Sequence, residues 1–533
     1  MRSLTLMLVG SLLVVATGCG SDPGDNRQDA LPNPGQDAAD GSRQDGPATP
    51  PDVPADGPRD VAAEDGPRDV PVDSTQDLAV IPAQDAADAN PQDAEAVDAQ
   101  GWAEAGTTEA GANPGTLASS SLARETAALS DTEKTDLATS LSGFAFALLQ
   151  EIRRDPSTAN NFAFSPTSIS LALGMTYAGA AGNTAAQMKT AMHIASASDV
   201  YFRSLNWLDQ QLASRADAAL KQAQAMYASS AGSRGAAPDP ANFRLHVVNA
   251  CWGDRTLTFQ QPYLDTLATD FGTGVHLANF LTQPEIERIA INAWVSQETL
   301  NRINDLIPQG AIDSSTRAVL VNAIHLKLPW YDPFVEANTS PAAFTKTGGS
   351  IVNVPFMNKR SSWSYAEDDT TQAVAIPLSG NSVQLVVFLP KATSSLSAFE
   401  DSLAQGHAQT LVASMTGHDV KLALPKFVFT TASVRLKNAL VALGMTNAFD
   451  PGADFTGITK EKPFYIGEVV HKAMVGVDES GVEAAAATAV VLAGSGLPTD
   501  VKDVTVSRPF FFGIYDQPTS TWLFLGHVTD PSS

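Results

Sequence analysis

The chain has 533 residues, 44% of them hydrophobic, and carries 33 Lys and Arg against 58 Asp and Glu, a formal charge of −25. That is enough apolar material for one large core, while so acidic a balance argues against nucleic acid as a partner. Only 2 cysteines are present, which excludes a disulfide framework and a zinc ribbon.

At the N-terminus, Arg2 and the apolar run 4–15 lead through Ala16, Thr17 and Gly18 to Cys19. The run is too short for a comfortable transmembrane helix. With its small residues it resembles a bacterial lipoprotein signal over residues 1–19 with the lipobox at Cys19, although Ala16 stands where Leu is commonest. The resemblance implies lipidation of Cys19 and a lipid anchor. Gly20 supplies no acidic retention signal, so the outer membrane is the expected destination, and an ordinary secretory signal is the alternative. Residues 20–130 follow as an acidic Asp/Pro/Ala-rich linker. Within it, positions 20–125 hold 22 Asp and Glu against 5 Arg, with Gln-Asp pairs recurring from Gln28 and two Asp-Gly-Pro-Arg-Asp-Val copies from Asp56 and Asp65. Such a segment buries too little apolar surface to offset its ordering entropy and is expected to be disordered.

The folded part is expected over 131–533. Apolar residues at helical spacing predict helices over Asp131–Arg154, with Ser130 or Asp131 as cap, and over Ser168–Ala178. Strand candidates come later: Leu245–Trp252, Ala318–Lys327, Val374–Pro377, Val383–Leu389, Val420–Phe427, His471–Val477 and Trp522–Val528. Helices and strands interleave without regular alternation, which indicates an α+β domain on a large mixed sheet. Cys251 lies in one of these strands, and an inert core thiol is the expected role.

The segment from Val477 to Pro498 is the most informative. If it is extended, Val482, Ala484, Ala486, Thr488, Val490 and Leu492 share one small apolar face, which could enter a sheet without burying a charge. Helix propensity alone would make the same alanines a helix. Five blocks in the rest of the chain bear on the choice: Asn161-Phe162-Ala163-Phe164-Ser165-Pro166, Gly179-Ala180-Ala181-Gly182-Asn183-Thr184, Val319-Leu320-Val321-Asn322-Ala323, His471-Lys472-Ala473, and Arg508-Pro509-Phe510-Phe511 with Phe524-Leu525-Gly526. In order and spacing these resemble the serpin family over about residues 131–533.

The resemblance implies the serpin fold, three sheets with surrounding helices and an exposed reactive loop near the C-terminus. It implies a monomeric suicide-substrate protease inhibitor, without cofactor or metal, whose partner is a target protease held as a covalent acyl-enzyme. Glu479, Gly481, Val482, Glu483, Ala484, Ala485, Ala486, Ala487 and Thr488 then form the loop hinge, with Gly481 as a pivot. The usual spacing from Glu479 puts the cut bond at Ser495-Gly496. Ser165, Ser168, Asn322 and His471 fall where the family has a polar shutter beneath the sheet, and Trp330 where it has the breach. No Arg or Lys lies between Gly481 and Asp500, which points to a protease with a small or apolar primary pocket. His325-Leu326 and Leu328-Pro329 depart from the family pattern. No nucleophile elbow, His-Glu-x-x-His or phosphate loop suggests an enzyme. A non-inhibitory surface binding or scaffold role is the alternative, against which the run of small hinge residues counts.

Overall fold

Ser130 opens the first helix, Asp131–Ile152, with a reciprocal cap: its hydroxyl accepts from Glu133 N while its own N–H donates to the Glu133 carboxylate. Ser165 caps the second, Pro166–Tyr177, whose 12 residues are all buried. A helix without a polar face has to sit inside a domain. This one packs between Arg244–Asp254 and Ala318–Pro329 on one side and Thr521–Val528 on the other. The computed structural model describes residues 116–229, 237–483 and 500–533. All of these belong to one compact unit, Ala105–Ser533. Cys19, Ala484, Ala485, Ala486, Ala487, Thr488, Ser495 and Gly496 lie outside the described residues.

The strands form two nine-stranded sheets, each flanked by helices. In the first, Leu117–Ala118, Val275–Ala278, Arg244–Asp254, Ala318–Pro329, Gly481–Val482, Met474–Val477 and Phe427–Thr430 follow one another, and Glu468–His471 joins Ala318–Pro329 to Val434–Arg435. The three expected sheets are present as two continuous ladders because the 17-residue strand Ile351–Glu367 runs from one into the next. Its first half pairs with Ser340–Thr345 and its last residues with Thr371–Pro377. The C-terminal hairpin Phe510–Asp516 and Thr521–Val528 lies toward one end of this second ladder, between Val383–Pro390 and the edge strand Phe162–Phe164. Gly526 is required there, because a Cβ would lie 2.2 Å from the Phe162 carbonyl oxygen of the adjacent strand.

Two further expectations change. His471–Val477 is not one strand: it breaks at Lys472-Ala473, where the Ala473 carbonyl accepts from Thr431 N and Ala473 N donates to Thr431 Oγ1 instead of continuing the ladder. The linker expected to be disordered to residue 130 is ordered from residue 116. Leu117–Ala118 adds an edge strand against Val275–His276, Arg124 donates to Asn206 Oδ1 at 2.8 Å and pairs with Asp209 at 2.7 Å, and Asn206 donates to the Glu125 carbonyl. The reason is local composition, since residues 110–123 carry no charge and can cover apolar surface at a sheet edge.

Truncation tests this boundary. Removing residues 1–115 should leave the thermal transition of the domain in place, whereas removing 1–130 should lower it by about 2–4 °C, as expected when an edge strand and the Arg124 contacts are lost from a large domain.

Candidate functional site

The first sheet is built around a discontinuity. At one end, Glu468–His471 runs parallel to the central strand and pairs Val319 through Asn322. At the other, Gly481–Val482 stands between the same strand, opposite Pro329 and Leu328, and Val477. Between them, Ala323–Lys327 of the central strand meets no strand on that side among the described residues.

Under the closed end lies a buried polar cluster that brings together all four predicted shutter residues. His471 Nδ1 is 2.6 Å from Asn322 Oδ1, and its Nε2 accepts from Ser165 N at 3.0 Å. Ser165 Oγ accepts from Ser168 N, and Asn322 Nδ2 donates to Ser168 Oγ. The Nε2 acceptor fixes the tautomer: Nδ1 carries the proton and donates to Asn322. His471 and Asn322 are register partners across the two strands that separate if the sheet opens, so this bond must break as they part.

At the other end the hinge is anchored residue by residue. Asp478 accepts from Ser480 N and Gly481 N, closing a tight turn, while its carbonyl accepts from Trp330 Nε1 at 2.7 Å. Trp330 is buried directly beneath this turn, edge-on to Phe334 at 5.8 Å, and its N–H donates to the Ser480 carbonyl. Glu479 pairs with Lys426 at 2.6 Å and accepts from Thr339 at 2.7 Å. Burial works against the Glu479 carboxylate, but these bonds outweigh it and hold its pKa below the ordinary glutamate value. Burial instead raises that of Asp478. Val482 joins the main core and Glu483 faces the other way. Gly481, the expected pivot, lies in the ladder without a positive φ, and Glu483 takes the left-handed conformation at φ 49°. Gly481 pairs with Pro329 and its carbonyl accepts from Asp478 N, and the left-handed residue comes only after the ladder stops.

Cys251 is buried and unpaired, with its thiol pushed up to about 12 by burial, as suits a core residue rather than a nucleophile. A Ser–His–Asp sequence in space, not foreseen from the residues, joins Ser402 Oγ to His407 Nδ1 and His407 Nε2 to Asp368, each at 2.6 Å. Ser402 also donates its proton to the Phe399 carbonyl at 2.5 Å, which engages the hydroxyl with its own helix. The group ties the Leu396–Ser402 helix to the turn after Ile351–Glu367. No cluster of three metal-ligating side chains occurs among the described residues, and no helix among them is long and apolar enough to cross a membrane.

Burial pushes the His471 imidazole down to about 3. Its folded value lies below that of an unfolded histidine, so the unfolded chain takes up the proton first, and the stabilisation is complete above about pH 6.5 and lost as pH falls toward 3. Denaturant midpoints should therefore decline between pH 6.5 and 4, by on the order of 3 kcal/mol from this group, and His471→Asn should flatten that part of the profile.

With this geometry in hand, comparison with known proteins is direct. The profile of the serpin (serine protease inhibitor) family matches residues 139–531. Serpin B4 of Homo sapiens is 33% identical over 392 residues, covering 73% of this chain and 97% of the relative. Leukocyte elastase inhibitor A of Mus musculus is 32% identical over 399 residues, covering 73% and 97%. An uncharacterized serpin-like protein of Thermococcus kodakarensis is 31% identical over 406 residues, covering 76% and 88%. Among solved structures, the native state of tengpin, a thermophilic serpin, superposes with a TM-score of 0.64 at 25% identity, covering 78% of this chain and 97% of that one. Profile, relatives and superposed structure agree, and the chain belongs to the serpin family.

Proposed function

We propose that this serpin inhibits a serine protease of small or apolar primary specificity by acting as its suicide substrate. One observation carries the reading. The hinge residues Gly481 and Val482 already stand in the central sheet, and the chain that follows them, Ala484 to Thr488, is made of small residues that can continue along the unpaired edge Ala323–Lys327. Attack by the protease's serine on the Ser495 carbonyl forms an acyl-enzyme and breaks the bond to Gly496, freeing the loop to enter the sheet with the protease attached. Each residue that enters gains backbone pairing of about 1 kcal/mol and buries an apolar side chain besides. A strand of roughly ten residues therefore gains about as much as the whole stability of an ordinary domain. That is sufficient to drive a large displacement before deacylation. The polar cluster of Ser165, Ser168, Asn322 and His471 is the part that must let the strands separate, and Trp330 supports the turn from which insertion starts.

Specificity follows from the loop sequence. A trypsin-like pocket needs a cation, and 482–499 contains none. A relative whose name identifies it as an inhibitor of leukocyte elastase is consistent with a small or apolar preference. The N-terminal signal adds a location: lipidation at Cys19 would hold the inhibitor at the outer membrane, and the acidic segment would serve as its tether. More than one acyl chain is needed for firm anchoring, which a triacylated cysteine supplies.

Two experiments test these statements. Incubation with an elastase-like protease should give an SDS-stable complex cut after Ser495, and trypsin should give none. Ala486→Glu or Thr488→Arg should divert the protein to cleaved substrate, because each places an unpaired charge on the inward face; complexes in the wild-type proportion from these variants would sink the insertion mechanism in favour of a binding or scaffold role. For the anchor, wild-type protein should partition with membranes and carry an acylated N-terminal peptide, and Cys19→Ala should abolish both without altering the melting of the folded domain.

A further inference from the structure

We infer that Glu483, Arg302 and His325 form a latch that sets how far the hinge lies in the sheet, so that Arg302 and His325 are positioning residues for loop insertion; this rests on the inhibitory reading above. The latch sits on the face of the sheet opposite the main core. That face is covered by the helix Pro284–Glu298 and by the segment 299–317, whose Ile303, Leu306 and Ile307 pack on Val248, Val321, Ala323 and Val470. Arg302 belongs to this covering segment and His325 to the central strand. The Glu483 side chain, 9% exposed, lies between them, with Oε1 2.5 Å from Arg302 Nε and Oε2 3.1 Å from His325 Nε2.

Register gives these contacts their meaning. Val482 is opposite Leu328 in an antiparallel ladder. Continued in the same register, Glu483 would stand opposite Lys327 and Ala485 opposite His325. The Glu483 carboxylate therefore reaches ahead of its own residue, over the position that a later loop residue must take. Its backbone agrees: Glu483 N still donates to the Gly476 carbonyl at 2.7 Å, but φ 49° turns the chain out of the ladder there. A left-handed non-glycine residue is costly and persists only where surrounding contacts hold it. To advance, Glu483 must return to extended backbone and its carboxylate must withdraw from both partners. Neither ring nitrogen of His325 makes an aligned hydrogen bond, nor does Glu483 Oε1. Charge and proximity hold the group rather than a closed network, so it can be released. Lys472, whose Nζ donates to the Asn304 carbonyl, ties the same covering segment to the far side of the gap, so one segment grips both the hinge and the strand it must pass.

The test compares wild type with Glu483→Gln, Arg302→Gln, the double variant and Arg302→Lys, in the full chain. Intact protein is incubated at raised temperature, and the rate at which it converts to an uncleaved, heat-resistant, inactive form measures insertion without a protease. Each glutamine variant should convert about threefold faster, the size expected when one half-exposed ion pair is removed from a barrier. The double variant should be no faster than the singles, because they remove the same contact, and Arg302→Lys should stay near wild type. Glutamine variants that convert no faster than wild type, including not at all, overturn the latch, as does a double variant whose acceleration is the product of the two singles. Arg302 is about half exposed, so its replacement leaves the core intact. Complex formation by the wild type is scored separately: its absence with every protease would count against the inhibitory reading, whereas the conversion rates decide the latch.

Discussion

The structure depends on a central strand that, among the described residues, is paired over most of its length on one side and only at its ends on the other. Ala318–Pro329 matches Arg244–Asp254 over ten positions, which fixes it as a rigid wall. On its opposite side it meets Glu468–His471 at one end and Gly481–Val482 at the other. Every described functional feature is arranged around the interval between them. The break at Lys472-Ala473 follows from the same constraint: the chain from 468 pairs with the central strand, whereas from 474 it pairs with Phe427–Thr430 and, at Val477, with the hinge. The chain has to step away between the two.

Two polar groups occupy the ends of this interval, and they differ in kind. At the closed end, His471, Asn322, Ser165 and Ser168 are hydrogen-bonded to one another, and Asn322 and Ser168 also to Asn249, in the kind of buried network that rigidifies a core. Breaking such a cluster leaves its members unpaired, so it resists opening until something replaces those bonds. Beside Gly481 and Val482, Glu483 lies between the Arg302 guanidinium and the His325 ring, on two different elements, without aligned hydrogen bonds. The first arrangement suits a joint that opens once, the second a contact that adjusts position. Glu479 with Lys426 and Thr339 provides the fixed point outside the sheet from which the loop departs.

Much of this was legible in the residues. Ser130 with Glu133 announces a capping box, and the helix begins there. The apolar runs at Val383–Leu389 and Trp522–Val528 have the composition of strands buried on both faces, and both are. The four residues proposed as a shutter, and Trp330, were singled out only because their surroundings resemble a family; nothing in a lone Ser165 or His471 distinguishes a joint from an ordinary cap or core histidine. Three features escaped. The strand start at Leu117 escaped because the acidic linker around it dominates any compositional reading. Gly481 was singled out for its backbone freedom, but it pairs with Pro329 in the ladder and the left-handed residue is Glu483. The partnership of Arg302, His325 and Glu483 escaped because it joins residues more than 150 positions apart, although His325 had already stood out as a departure from the family pattern.

By itself the sequence determined the α+β class, the acidic N-terminal segment, the absence of a disulfide framework, and a loop whose alternate residues are small and apolar. These are properties of local composition and of period-two alternation, which need no partner to be read. The tertiary structure decided where the ladder stops, which residue turns out of it, and which charges meet at that point. Register and burial are properties of pairs: a strand knows its own inward face, but its neighbour sets how far it enters and what lies ahead of it.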